Sequence, residues 1–180
     1  MAARWLSLSW RLLLLLLLAL QPWSHACAQA NNESQLKAAY LVNFLKYVDW
    51  PEATPTATIC LFGRDTLGGY LAPYEARSIA GRELRIRRVT GPDQMGDCQL
   101  LFIPDNEEAR YGAVLRWVER LPVLTVSDAE IFTRQGGAIA LVRAEGRLQF
   151  DINVVAVSAA GLKPSSQLMR LARVVVGATK

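Results

Sequence analysis

The chain has 180 residues, with 20 Lys and Arg against 16 Asp and Glu, and one histidine. So small an excess of positive charge says little about nucleic acid or anionic membranes. The histidine, His25, falls in a segment read below as a removed leader, which excludes the usual zinc sets, Ser-His-Asp and Cys-His nucleophiles and histidine acid–base catalysis from the mature protein.

Arg4 and Arg11 precede an apolar run from Leu12 to Leu20, and the small residues Ala26, Ala28 and Ala30 follow. That order is the one found in secretory signal peptides, and the run is far shorter than the ~20 residues a membrane-spanning helix needs. Residues 1–28 are therefore predicted to be a signal peptide, with cleavage after Ala28 or Ala30, and residues 29–180 a single exported domain. Ser24-His25-Ala26 is a poor context for lipidation of Cys27. Removal takes two of the 20 basic residues and none of the 16 acidic ones, so the mature net charge falls to +2. Cys60 and Cys98 remain, and an even pair in an oxidising compartment reads as a disulfide.

Leu36, Ala39, Tyr40, Asn43, Phe44, Tyr47 and Val48 follow a 3.6-residue stripe that ends at Asp49-Trp50-Pro51, a helix apolar around most of its circumference. Thr58 to Phe62 is a strand, Thr66 to Tyr74 a helical segment, and Leu84 to Arg87 a strand with one wet face. Leu100 to Ile103 is a strand buried on both faces, closed by Pro104. Asp105 and Glu108 form a variant capping box ahead of a helix carrying Tyr111, Val114, Leu115, Val118 and Leu121. Val123 to Val126 is another buried strand. Ala138 to Val142 and Leu148 to Ile152 make a hairpin around Glu145-Gly146. Gly161 caps a short helix, and Ser165 or Ser166 starts a last helix running through Val176. The alternation argues an α/β sandwich with a mixed, mostly parallel sheet flanked by helices.

Several clusters invite a chemical reading and have a plainer one. Gly63, Gly68 and Gly69 lie where a phosphate loop would sit, but their spacing fits no nucleotide fingerprint and suits turns. Arg82, Arg85, Arg87 and Arg88 suit an anion site or a solvated strand face that discourages edge pairing. Ser127-Asp128 ends a buried strand, where α/β sheets place ligands, yet without a histidine the serine lacks a base and helix capping is the expected role. Asp151, Glu130 and Glu145 are too scattered for a two-carboxylate hydrolase.

Lys37 to Pro51 (KAAYLVNFLKYVDWP), Ile59 to Gly63 (ICLFG), Val123 to Asp128 (VLTVSD), Gly136-Gly137, Phe150 to Asn153 (FDIN), Ala160 to Ser166 (AGLKPSS) and Leu168 to Ala172 together resemble YfiR-type periplasmic proteins, over about residues 35 to 173. The resemblance implies a periplasmic regulator that is not an enzyme and carries no cofactor or metal. It implies binding and inhibition of the periplasmic part of an inner-membrane diguanylate cyclase, with effects on cyclic di-GMP and biofilm. An outer-membrane, peptidoglycan-binding lipoprotein is the implied second partner, and related domains accompany sensor kinases. Cys60 and Cys98 fall where the family has a disulfide; a second pair that some members carry around Thr133 to Ala140 is missing here. The family's partner- or ligand-linked surface falls on Phe150 to Lys163. This nominates Asp151 and Lys163 as rim charges and Val154 and Val157 as an apolar patch, unless the valines are helix core. A small-molecule sensor or carrier using the pocket near Val154 and Val157 is the alternative function, and self-association is left open.

Overall fold

The computed structural model describes residues 24–67 and 69–177, with side chains from Asn32 onward. The leader's basic and apolar regions, Arg4 to Leu20, lie outside the described residues, as does Gly68. The chain divides at Asn32, and the account below concerns the compact unit from Glu33 to Lys180.

Helix α1, Ser24–Tyr47, runs into a two-residue strand β1, Val48–Asp49. Strands β2 (Thr56–Phe62), β3 (Ser78–Ile79), β4 (Arg82–Val89) and β5 (Leu100–Phe102) follow, then α2 (Tyr111–Val118) and β6 (Leu124–Ser127). The hairpin β7 (Ile139–Ala144) and β8 (Arg147–Asn153) leads to α3 (Val154–Ala159), β9 (Lys163–Pro164), α4 (Ser166–Leu171) and β10 (Val174–Val176). Eight strands form one sheet in the order β10-β8-β7-β6-β5-β2-β4-β3, and β1 pairs with β9 in a separate two-stranded ribbon. Strands β4, β2, β5, β6 and β7 are mutually parallel; β8 turns back against β7, and β10 runs parallel to β8. The mixed α/β architecture read from the sequence is the one observed.

Alternation along the strands divides the core into two layers. Ile59, Leu100, Phe102, Ile139 and Leu141 pack on one face with Leu41, Phe44 and Leu45 of α1, Val157 of α3 and Leu168 of α4. Cys60, Phe62, Leu101, Ala140 and Val142 point the other way, toward Tyr111, Val114 and Val118 of α2 and toward Phe132. Residues buried on both faces explain the unbroken apolar runs in β2 and β5. The apolar circumference of α1 has its reason here too: one side sits on the sheet, and Tyr40 and Phe44 stack edge-on against Phe150 of β8.

Several local expectations are corrected. The segment from Thr66 to Tyr74 forms only a 3-10 turn at Ala72–Tyr74. Its helical look came from Leu67 and Leu71, both buried four residues apart, while Asp65 accepts from the Leu67 N–H at 2.9 Å and Gly69 takes φ +80°, so no helix propagates. The last helix stops at Leu171, and three consecutive β-branched valines join the sheet as β10. Asp105 caps nothing. A 3-10 helix spans Asp105–Arg110, and the Asp105 N–H instead donates to Asp128 Oδ1 at 2.8 Å. Glu145 and Gly146, at φ 53° and 74°, make the tight turn expected between β7 and β8.

Candidate functional site

The stretch from β8 to β10 carries most of the residues nominated from the sequence, and it sorts them into two kinds. Asp151 is 5% exposed. Its carboxylate receives Arg173 Nε at 2.8 Å and Nη2 at 2.6 Å, a two-point clamp between β8 and the start of β10. The hydrogen bonds to Asp151 raise the Arg173 pKa above its ordinary value, and Glu130 adds a weaker contact at 3.5 Å. The structure places Asp151 in an internal pair with Arg173, and Val157, at 0% exposure, in the core, the alternative left open for the valines.

Val154 begins α3 half-buried, and Lys163 is exposed on β9, where its backbone pairs with Asp49. The helix start is fixed by Asn153, whose Oδ1 accepts from the Val155 and Ala156 N–H groups at 3.1 Å while its amide donates to the Thr133 carbonyl. That geometry turns Val155 outward, 61% exposed; Leu171 at 62% and Val174 at 43% are exposed further along the same stretch of chain. Val155 lies close to Gly177 at one end of β10, and Leu171 closes the helix that leads into the other end. Arg170 and Lys163 lie exposed in the same segment, and neither meets a carboxylate among the described residues. Three large apolar side chains and two cations exposed within one stretch of chain suit a docking surface with apolar and charged contacts. Sequence reading missed this group. Val174 to Val176 was available as a β-branched signal, but the pairing of Arg173 with Asp151 across 22 positions leaves no local trace.

A second cluster sits where β5 and β6 end. Lys37 of α1 meets Asp128 Oδ2 at 2.7 Å and Glu33 at 3.0 Å, and Glu33 also pairs with Arg143 of β7. Burial works to lower the Lys37 pKa, but the hydrogen bond and charge of Asp128, helped by Glu33, prevail and raise it. The hydrogen bond from Arg143 holds the Glu33 carboxyl below the usual range. Beneath them the Tyr111 hydroxyl lies 2.6 Å from Ser127 Oγ and donates to the Pro104 carbonyl, and Ser127 Oγ accepts from the Ala129 N–H. Burial pushes the Tyr111 pKa up to about 12. Ser127 is fully buried and its hydrogen-bonding capacity is used internally, so the strand-end position that holds ligands in many α/β sheets is filled here by α1.

Cys60 and Cys98 form a disulfide with a Cα–Cα separation of 5.8 Å, tying β2 to the loop that enters β5. Gly63, at φ +69°, is a turn glycine whose Cβ would collide with the Glu107 carboxylate. The arginine run is spent locally: Arg82 lies over Trp50, Arg85 pairs with Glu83, Arg87 with Asp97 and Arg88 with Asp65.

Fold and surface define a class, a three-layer α/β domain whose distinctive exposed feature is apolar. The particular family follows from its sequence: residues 34–173 match the YfiR/HmsC-like family, and the chain belongs to it. Among solved structures it is similar to an ABC domain in complex with L-Trp from Streptococcus pneumonia, at 12% identity, TM-score 0.52, covering 77% of this chain and 60% of that one. It is also similar to a conserved domain protein from Vibrio cholerae, at 10% identity, TM-score 0.50, covering 79% and 60%. The chain thus spans about three-fifths of each of these proteins, and the likeness is one of fold.

Proposed function

We propose that this protein is a periplasmic, non-catalytic regulator that binds the periplasmic part of an inner-membrane diguanylate cyclase and holds it inactive, lowering cyclic di-GMP. Membership of the YfiR/HmsC-like family supports the regulatory reading. The observation that supports the binding mode is the exposure of Val155, Leu171 and Val174, and of Lys163 and Arg170, within the one stretch from α3 to β10. Half-buried Val154 begins the same helix as Val155, and an acidic, apolar face on the cyclase is the complement of this stretch. A peptidoglycan-binding outer-membrane lipoprotein competing for the same surface would release the cyclase.

The test is a titration of the purified cyclase periplasmic domain with the wild-type regulator and with a Leu171→Asp/Val174→Asp variant. Burying two carboxylates against an apolar face weakens binding by about 30-fold or more, the loss expected of central interface residues. Unchanged affinity, with the variant's thermal unfolding intact, moves the docking surface elsewhere. Failure of wild type to bind, together with binding to a sensor kinase's periplasmic domain, changes the class of partner.

A further inference from the structure

A cleft of about 500 Å³ opens between α2 and α3. Its lining is small on one side, with Ala156 and Ala159 from α3 and Ala160 just after it, against Leu115 and Val118 from α2. Thr125 of β6 lies in its lining and is 5% exposed. Its hydroxyl oxygen accepts from the Ala138 N–H at 3.0 Å, and the hydroxyl proton finds no acceptor among the described residues. A buried hydroxyl donor without a protein acceptor is satisfied by a carbonyl oxygen placed against it. At the mouth, Arg116 and Glu119 offset each other in charge, and the Gln135 side chain adds a neutral donor and acceptor.

We propose that this cleft binds a small, uncharged acyl compound, its chain against the α2 and α3 side chains and its carbonyl oxygen accepting from the Thr125 hydroxyl. Its size matches ligand sites lined mainly by apolar groups with a few placed polar ones. The balanced mouth gives no advantage to a free carboxylate or an amine, so acyl amides and acyl lactones are the two sources of the required group. Because α3 carries both this cleft and Val155, occupancy of one bears on the other. Binding to the cleft is read on the isolated protein and does not rest on the cyclase assignment.

The experiment is calorimetric titration and thermal unfolding of the purified protein with two probes, octanamide and N-octanoyl homoserine lactone. Saturable binding with a concentration-dependent rise in unfolding temperature is expected for at least one, and which probe it is separates amide from lactone. Ala159→Trp, at an exposed position lining the cleft, fills its entrance and weakens binding at least tenfold. Thr125→Val also weakens it about tenfold, the scale of one hydrogen bond to a buried donor, while Thr125→Ser stays within about threefold of wild type. Thr125→Val also removes the acceptor for Ala138, so Ala159→Trp supplies the test if that variant folds poorly. Absence of saturable binding by either probe, or equal binding by wild type and Ala159→Trp, overturns the proposal.

Discussion

Replacing Arg173 by Met separates the two roles Asp151 can have. The substitution keeps much of the side chain's apolar length and removes both hydrogen bonds to a carboxylate that is 5% exposed. Breaking a fully buried pair from one side costs about 3 to 5 kcal/mol. The Arg173 side chain retains 29% exposure, so water relieves part of this. The Glu130 contact, on a carboxylate 66% exposed, contributes little. A loss of about 2 to 3 kcal/mol is therefore expected, which at a urea slope of about 2 kcal/mol/M lowers the unfolding midpoint by roughly 1 to 1.5 M. Asp151→Ala should cost less, because Arg173 left alone still reaches solvent. The double variant Arg173→Met/Asp151→Leu should recover much of the loss, since no buried charge remains unpaired. Urea unfolding followed by circular dichroism reads all three. If Arg173→Met shifts the midpoint by less than about 0.3 M while Asp151→Ala weakens partner binding, the staple is refuted and Asp151 belongs to the surface.

Stability should form a plateau between about pH 5 and pH 10, measured as the urea midpoint against pH. Raised folded-state pKa values for Tyr111 and Lys37 mean that their contributions are complete below their ordinary values of 10.0 and 10.5 and lost as pH rises through the folded values. The tyrosine alone is worth about 2 to 3 kcal/mol between pH 10 and 12. Glu33, lowered from 4.5, contributes above that value and is lost as pH falls through its folded one, so Glu33→Gln should flatten the acid limb. Reducing the disulfide frees a loop with a sequence separation of 38 residues and should cost about 4 kcal/mol in the chain-entropy account, seen as a lower melting temperature with reductant. Gly137→Ala should destabilise by about 1 to 3 kcal/mol in urea unfolding, because its Cβ would lie 2.2 Å from the ring of fully buried Phe132.

Residues governed by periodicity were legible in the sequence. The stripe of α1, the strand β2, the doubly buried β5 and the Glu145-Gly146 turn each follow from local pattern and backbone preference, and they suffice to frame the sheet. Partnerships across the chain were not legible. Asp128 looks like a local cap but bonds a backbone N–H 23 positions earlier, and Asp151 looks like a surface charge until Arg173 is folded onto it. Val157 and Val155 are two residues apart on one short helix with opposite fates, fixed by which way Asn153 starts that helix. The strand β10 was hidden because Ser165 starts a true helix whose end at Leu171 has no glycine or proline to announce it.

The most direct test of the regulatory account is intracellular cyclic di-GMP in cells with and without this gene. The account expects a rise on deletion, reversed by the full-length protein, but neither by a version lacking residues 1–28 nor by Leu171→Asp/Val174→Asp. Unchanged cyclic di-GMP on deletion, with the cyclase present and the protein confirmed in the periplasm, would contradict it.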